Sequence, residues 1–174
     1  MKNNFDIEEF YCYHDFDIKF SSYEGYITIY VQLTLFGEQI GRCKLYTIER
    51  KTLSDEDLLW FFDDLEAVAS ENFYDILTNK NQKILNRLKN RRFVYLTDMY
   101  IEPKYRNKGV GTIFIEDIEN MLKFMRIKDV YLVSAMYEDN DIPYRNESFY
   151  LRNKFIIIND SGNINDGKMM YKMI

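Results

Sequence analysis

The pattern of apolar residues in the first quarter of the chain is typical of β-strands. Residues 26–35 and 40–48 alternate between apolar and polar with a period of two, around a polar turn at 36–39, and this predicts a β-hairpin. Residues 16–20 alternate in the same way and indicate an earlier strand. We therefore expect the chain to begin with a set of paired strands.

Two amphipathic helices are predicted after the hairpin. Ser54 is a suitable N-cap, and the acidic residues that follow it suit the positive end of a helix. The next apolar residues recur at helical spacing: Leu58, Phe61, Phe62, Leu65, Val68 and Ala69. A second helix is expected from about Tyr74 to Lys89, where basic residues suit the negative end.

The remainder of the chain predicts further strands and helices. A strand over residues 94–101 ends before Pro103, which has no N–H to give to a ladder. The pattern then predicts a helix from 110 to near 127, a strand at 129–135, an acidic loop at 136–143, a short helix, and strands at 155–158 and 168–174. No repeat or linker divides the chain, so we expect one mixed α/β domain over residues 1–174.

The turn between the strand at 94–101 and the next helix resembles an anion site. Gly109 and Gly111 flank the helix start, where the first N–H groups have no intrahelical partner and carry partial positive charge. Glycine also lets the backbone approach a phosphate closely. The pattern alone is weak, because a helix cap beside solvated lysines has the same residues. A P-loop motif is absent, and so is the third glycine of a dinucleotide-binding motif.

Two motifs in this half of the chain resemble those of the GCN5-related N-acetyltransferases. Residues 106–111, Arg-Asn-Lys-Gly-Val-Gly, fit Arg/Gln-x-x-Gly-x-Gly/Ala, and residues 101–106 fit the lead-in Val-x-Pro-x-Tyr-Arg. Phe149, Tyr150 and Phe155 fit a later motif, Phe-Tyr-x-Lys-x-Gly-Phe. The resemblance covers roughly residues 93–158 and implies a central, mostly antiparallel twisted sheet flanked by helices.

The sequence departs from the family pattern in two places. The family usually has two helices between its first and second strands, whereas here two helices are predicted between the hairpin and the strand that precedes the glycine turn. Lys154 stands where glycine is usual, so we expect the short helix to end without a left-handed cap. Because those helices form part of the amine-binding side in the family, the first departure leaves the acceptor unidentified.

The resemblance implies acetyl-CoA as co-substrate and no metal. The amides of the turn hold the coenzyme A pyrophosphate, and a backbone N–H near Tyr100 or Ile101 donates a hydrogen bond to the thioester carbonyl. The implied cofactor-binding residues are Met99, Tyr100, Ile101, Arg106, Asn107, Lys108, Gly109, Val110, Gly111 and Thr112.

Transfer of an acetyl group to an amine needs two proton movements. The amine must lose a proton before it attacks, and the departing thiolate must gain one. Tyr150 is the candidate donor, and Asp98 is the candidate base, with Glu102 at the end of the strand as the alternative. Without a catalytic role, Tyr150 would be a core aromatic residue, and Asp98 would be a solvent-facing residue of the strand. The predicted function is direct acetyl transfer from acetyl-CoA to a primary amine. The alternative is a non-catalytic acyl-CoA-binding or interaction protein on the same fold.

Charge and composition narrow the partners. The net charge of −5 argues against nucleic acid and is compatible with a cationic acceptor, either a small molecule or a peptide. We expect the acidic loop residues Glu138, Asp139 and Asp141 to attract such an amine. Two isolated cysteines and the lack of a long apolar run indicate a cytoplasmic protein without membrane contact. The sequence neither predicts nor excludes a homodimer, in which the Met-rich last strand would pair across the interface.

Overall fold

The computed structural model describes residues 10, 14–23, 26–78, 82–134, 136–139, 142–159 and 167–174. The strands are β1 (His14–Tyr23), β2 (Tyr26–Leu35), β3 (Glu38–Glu49), β4 (Arg92–Ile101), β5 (Asp129–Ser134), β6 (Met136–Asp139), β7 (Ile142–Arg145), β8 (Ile156–Asn159) and β9 (Lys168–Met173). The α-helices are α1 (Asp55–Leu65), α2 (Ala67–Thr78), α3 (Gln82–Asn90), α4 (Val110–Phe124) and α5 (Glu147–Arg152). Short 3₁₀ turns cover Arg50–Thr52 and Pro103–Tyr105.

Seven strands form one twisted sheet in the order β1-β2-β3-β4-β5-β9-β8. The β4–β5 pair is parallel, and the other neighbouring pairs are antiparallel. The parallel pair follows from the connection through α4, because a crossover helix returns the chain in the same direction. The mixed α/β fold predicted from the sequence, with a mostly antiparallel sheet flanked by helices, is confirmed.

Each face of the sheet is buried against helices. The face that bears Ile29, Val31 and Leu33 of β2 packs on α4 and also receives Tyr150 and Phe155. The opposite face packs on α1, α2 and α3 through an aromatic cluster of Tyr46, Phe62, Phe73, Phe93, Tyr95, Tyr131 and Tyr171. The alternation of side chains along each strand separates the two cores. Strand β4 therefore has helices on both sides over its first half.

Between β3 and β4 the described residues form three helical segments where the sequence predicted two helices. Ser54 caps α1 as expected: its hydroxyl accepts from the Asp57 N–H, and the Asp57 carboxylate accepts from the Ser54 N–H. Glu66 then ends α1 in an extended conformation (φ −167°, ψ 109°). The helical spacing of apolar residues continues across this break because α1 and α2 pack on the same core. The predicted second helix covers the end of α2 and all of α3, and the residues between them, 79–81, lie outside the described residues.

Residues 136–139 and 142–145 pair as the two strands of a hairpin, in a segment where the sequence predicted an acidic loop at 136–143. Met136 pairs with Arg145 and Asp139 with Ile142. Pro143 is compatible with this arrangement, because each strand of a two-stranded sheet has an edge that donates no ladder hydrogen bond. The hairpin stands apart from the main sheet and leads into α5.

The last strand lies inside the sheet and not at its edge. Strand β9 pairs with β5 on one side and β8 on the other. The expectation that it could pair across a dimer interface was therefore wrong. None of the helices in the described part of the chain is both long and apolar enough to cross a membrane.

Candidate functional site

The sheet opens between β4 and β5. Their parallel pairing consists of Val94 with Val130 and Tyr95 with Tyr131, although β4 continues to Ile101 and β5 to Ser134. Beyond Tyr95 the described residues of β4 have no partner on this side. The edge of β4 that faces the opening therefore presents backbone groups that an inserted ligand can pair with.

A β-bulge lies in β4 beside this opening. Lys44 pairs with Thr97 and Arg42 with Tyr100, so Cys43 alone stands opposite both Asp98 and Met99. Asp98 takes a left-handed backbone conformation (φ 47°). A bulge of this kind leaves an extra residue unpaired and redirects the strand.

The backbone of Ile101 faces the open edge of β4. The Glu102 N–H donates to the Ile40 carbonyl at 2.9 Å, so Glu102 is hydrogen-bonded to β3. Because hydrogen-bonded and non-hydrogen-bonded positions alternate along an antiparallel pair, the N–H and carbonyl of Ile101 point away from β3. The Ile101 carbonyl accepts from Arg106 Nε at 2.8 Å. The family resemblance implies that a backbone N–H in this part of the strand donates a hydrogen bond to the thioester carbonyl.

Arg106 attaches the glycine turn to β4. In addition to its bond to Ile101, its guanidinium lies 5.3 Å from the centre of the Tyr100 ring. Arg42 of β3 lies 5.2 Å from the same ring. These contacts position the turn at the open end of β4.

The turn before α4 contains two residues in left-handed conformations. Asn107 (φ 58°) and Gly109 (φ 83°) both take left-handed conformations, and Gly109 caps α4. Left-handed residues beside right-handed ones direct successive N–H groups into one concavity. Thr112 and Ile113 donate to the Gly109 carbonyl at 2.9 and 3.2 Å, so helical hydrogen bonding begins only at Thr112. The amides before Thr112 belong to the first turn, and Asn107, Lys108 and Gly109 are exposed.

The two predicted motifs meet at Gly111. A Cβ added there would lie 3.1 and 3.3 Å from two ring carbons of Phe149. A side chain at residue 111 would therefore crowd the Phe149 ring of α5 at the start of α4. Val110 is fully buried, so its side chain belongs to the core and only its backbone faces the turn. Met99 is half-buried, and Thr112 is exposed on the first turn of α4.

Tyr150 lies in the core beneath this contact. Its side chain is 4% exposed and packs edge-on against Phe149 and Phe155, with ring centres 5.2 and 5.5 Å apart. Helix α5 ends with Lys154 in a left-handed conformation (φ 66°), and the Phe155 N–H donates to the Tyr150 carbonyl at 3.0 Å. The expectation that α5 lacks a left-handed cap was therefore wrong: lysine takes the conformation that glycine usually supplies.

The candidate acidic residues are placed differently from one another. The Asp98 carboxylate lies 3.4 Å from Arg42 Nε, and both side chains are about half exposed. Glu138 and Asp139 lie on β6, but their side chains are outside the described residues, as is the whole of Asp141. Burial, and then the negative charge of Asp98, raise the pKa of the Cys43 thiol. Cys43 therefore stays protonated and is not suited to act as a nucleophile.

Sequence reasoning missed one polar contact beside the opening. Tyr95, at the last β4–β5 pair, donates its hydroxyl to Glu66 Oε2 at 2.7 Å. Glu66 is the residue that interrupts the helical segment between α1 and α2. In the sequence it is one of several acidic residues on a solvated helix, so nothing in the pattern distinguishes it.

The chain belongs to the acetyltransferase (GNAT) family, whose model matches residues 9–144. No curated relative matches the chain in sequence.

Several solved structures are similar in fold. An agmatine N-acetyltransferase variant superposes with a TM-score of 0.53 at 8% identity, over 83% of this chain and 73% of that one. The PaiA N-acetyltransferase of Thermoplasma acidophilum in complex with coenzyme A has a TM-score of 0.49 and 15% identity, over 84% of this chain and 61% of that one. Arabidopsis thaliana NAA60 in complex with acetyl-CoA has a TM-score of 0.49 and 16% identity, over 84% and 76%.

Proposed function

We propose that this protein transfers the acetyl group of acetyl-CoA to a primary amine by direct attack. The observation that carries the proposal is the glycine turn at residues 106–111, which stands at the end of β4 where β4 separates from β5. Its left-handed residues and the first turn of α4 offer backbone donors and partial positive charge to a pyrophosphate. Membership of the acetyltransferase (GNAT) family supports the same ligand.

The residues of the turn and of β4 bind the co-substrate. Acetyl-CoA supplies an activated acetyl thioester. The amides of Asn107, Lys108, Gly109, Val110 and Gly111 hold the pyrophosphate, with Arg106 and Thr112 at the two ends of the turn. The open edge of β4, from Met99 to Ile101, pairs with the acyl-bearing arm. The Ile101 N–H donates a hydrogen bond to the thioester oxygen as negative charge develops there.

Two side chains move the protons. Asp98 accepts the amine proton through water, and the neutral nitrogen forms a bond to the thioester carbon. The carbon–sulfur bond breaks, and the thiolate takes the proton of the Tyr150 hydroxyl. The attached nitrogen, which carries a positive charge after the attack, loses its second proton to the Tyr150 phenolate, and Asp98 releases its proton to solvent. The products are the acetylated amine and free coenzyme A, and both side chains return to their starting forms without a metal or a covalent enzyme intermediate.

The acceptor side uses negative charge. Glu138, Asp139 and Asp141 attract a cationic amine, in keeping with the net charge of −5. We include in the proposal a cytoplasmic location, a single domain over residues 1–174, and a homodimer. If the joint neutralisation of the three acidic residues left KM unchanged for every accepted amine, this role for them would be wrong.

The alternative is a protein that binds acyl-CoA on this fold without turning it over. Two observations favour it: Tyr150 is almost entirely buried, and the Asp98 carboxylate is already paired with Arg42. Both proposals share the ligand and differ only in chemistry.

The deciding experiment measures thermal unfolding with and without acetyl-CoA in the parent, Gly109→Asp and Gly109→Ala. Ligand at about 100 times its dissociation constant adds roughly 2.7 kcal/mol of stability. Both substitutions strain the same left-handed residue, at a cost of about 1–2 kcal/mol. Only Gly109→Asp also places a carboxylate at the pyrophosphate. We expect the ligand-induced shift to persist in Gly109→Ala and to vanish in Gly109→Asp.

Release of free thiol over a panel of amines then separates the two proposals. Thiol release that depends on an amine supports the transferase. A thermal shift without thiol release for any amine supports the binding protein. The absence of a shift in a folded parent protein at millimolar acetyl-CoA would remove both.

A further inference from the structure

Strand β1 forms a long edge of the main sheet. It pairs with β2 along its whole length, from His14 with Leu35 to Tyr23 with Tyr26, without a register shift. On its other side, the described part of the chain contributes no strand. Edges of sheets are usually protected by shortness, proline or a bulge. The opposite edge, β8, has four residues and an irregular register, but β1 has ten residues and neither proline nor bulge.

Apolar side chains are exposed beside this edge. Ile18 and Phe20, which point to the face covered by α4, are 37% and 59% exposed. Ile27 of β2 and Phe124 at the end of α4 are 41% and 91% exposed. An open groove of about 310 Å³ lies between β1 and α4 and is lined by His14, Phe16, Ile18, Asp117, Met121 and Phe124. Helix α4 thus leaves the outer part of the β1 face uncovered.

The sequence of β1 is complementary to itself when two copies run antiparallel. With a two-fold axis at Ile18, Asp17 stands opposite the partner's Lys19, and Lys19 opposite the partner's Asp17. Phe16 then stands opposite the partner's Phe20, and Ile18 opposite its own copy. Such directly opposed side chains lie about 4.5–5.5 Å apart, where unlike charges and aromatic pairs stabilise a sheet.

Other two-fold registers are worse. A continuous sheet requires paired residues to lie on the same face, so the axis must pass through a residue position. An axis at Asp17 or Lys19 sets that charge against its own copy, and an axis at Phe16 sets Asp15 against the partner's Asp17. An axis at Phe20 sets Lys19 against the partner's Ser21 and so leaves the charges without an opposite partner. Of the centres within β1, Ile18 is the one that pairs Asp17 with Lys19.

We propose that β1 is the interface of a two-fold symmetric dimer, in which β1 of a second copy of this chain extends the sheet with Ile18 on the axis. An isologous interface needs a self-complementary surface, which β1 provides. The opening between β4 and β5 is separated from β1 by β2 and β3, so both copies keep it accessible. The proposal does not depend on acetyl transfer.

The test is a charge exchange across the axis, read by sedimentation equilibrium of the full chain at micromolar concentration. Asp17→Lys and Lys19→Asp each set like charges opposite one another twice in the dimer, and the combined variant restores unlike pairs. From the usual strength of cross-strand pairs, we expect each single variant to weaken dimerisation roughly tenfold or more. The combined variant is expected to recover the parent affinity. Asp15→Lys is the matched control, because it makes the same change of charge opposite the uncharged Ser21 of the partner.

A cysteine cross-link checks the register. In a Cys12→Ser background, Ile18→Cys is expected to form a covalent dimer under mild oxidation, whereas Asp15→Cys is not. A monomeric parent protein would overturn the proposal. Occupation of the edge by residues 1–13 of the same chain would give that result. A dimer that is indifferent to both single charge variants would place the interface elsewhere and overturn it equally.

Discussion

Asp98 combines an unusual backbone with an exposed charge. A residue other than glycine or asparagine rarely takes positive φ within a strand, and Asp98 does so at 47°. The bulge imposes this conformation because Cys43 must face two residues of β4. Strain of this kind is retained where the surrounding structure enforces it, often at functional sites. Its position at the opening between β4 and β5 therefore supports the role proposed for Asp98 in accepting a proton.

We expect Asp98→Asn to lower kcat/KM by roughly 100-fold or more, because a positioned general base contributes on the order of 10²–10⁴-fold. The change in stability should stay within about 1 kcal/mol, since the Arg42 pair is half exposed and such pairs contribute little. Steady-state kinetics and urea unfolding measure the two effects.

Arg42→Gln is the matched control for Asp98→Asn. It removes the same ion pair and keeps the carboxylate. Equal losses of kcat/KM in both variants would show that the ion pair, and not proton transfer, is what the reaction needs.

Tyr150→Phe tests the proton donor. We expect the acetyl-CoA-induced thermal shift to remain and kcat to fall by roughly 100-fold, because only the hydroxyl is removed and the ring contacts with Phe149 and Phe155 persist. Tyr74→Phe, which changes an exposed tyrosine on α2, is the control. If raising the pH restored kcat of Tyr150→Phe while KM stayed constant, the hydroxyl would act in removing the proton of the amine and not in protonating the thiolate.

At the residue scale the sequence predicted positions better than conformations. Gly109 was expected at a helix start that binds an anion, and it caps α4 with positive φ. Lys154 was expected to prevent a left-handed cap, yet it adopts φ 66° because the bond from Phe155 to the Tyr150 carbonyl closes the turn. The penalty for a non-glycine residue there is only about 1–2 kcal/mol, which packing can offset. Local preference is a weak guide where tertiary contacts compete.

Among the elements, α3 is held to β5 and β9 by a buried polar network. Arg87 Nη1 donates to Asp129 Oδ1 at 3.0 Å and to the Tyr171 hydroxyl at 3.1 Å. The Tyr171 hydroxyl donates to the same Asp129 oxygen at 2.5 Å. Tyr131 is next to this network, but its buried hydroxyl has no hydrogen-bond partner among the described residues. Tyr131 and Tyr171 are thus neighbouring buried tyrosines, and among the described residues only the Tyr171 hydroxyl has hydrogen-bond partners.

The pair Tyr171→Phe and Tyr131→Phe separates hydrogen bonding from packing. We expect Tyr171→Phe to lower the free energy of unfolding by about 1–3 kcal/mol, because it removes a bond to a buried carboxylate. Tyr131→Phe should be neutral or stabilising by up to about 1 kcal/mol, since it removes an unpaired buried hydroxyl. Urea unfolding of both variants gives the comparison, and equal losses would contradict the assignment.

The elements themselves were predicted unevenly. The hairpin of β2 and β3 and the helix α4 have regular patterns and lie close to their predicted bounds. The break at Glu66 was missed because apolar spacing continues across it onto one core. The β6–β7 hairpin was missed because its four-residue strands are too short for an alternating pattern to be distinctive.

For the whole molecule, the position of the helices matters more than their number. Only residues 24–25 separate β1 from β2, whereas α1, α2 and α3 all lie between β3 and β4. These helices cover the face of β4 that bears Tyr95 and bring Glu66 to the last β4–β5 pair. Among the described residues, the core under these three helices contains no residue of β1. The placement of helices between the hairpin and β4 was predicted from the sequence, but which surfaces they cover could be seen only from the order of strands in the sheet.

Stability at alkaline pH is a property of both cores together. Burial raises the pKa of Tyr131 and of Tyr171, with Asp129 as the second cause in each, and burial and Asp98 raise that of Cys43. The unfolded chain loses these protons first, from about pH 8.5 for cysteine and about pH 10 for tyrosine. The native state holds more protons there, so unfolding releases protons and the free energy of unfolding falls as pH rises.

We expect each of these three groups to contribute a slope of up to about 1.4 kcal/mol per pH unit once its unfolded form ionises. Urea unfolding in steps from about pH 8 to about pH 11 measures the slope. Cys43→Ala should flatten it from about pH 8.5 upward, and Tyr131→Phe only above about pH 10. The two pH ranges differ because a cysteine thiol in the unfolded chain ionises at lower pH than a tyrosine phenol. If both variants kept the parent slope throughout, the two groups would titrate alike in the folded and unfolded chain, and their burial would have no effect on proton binding.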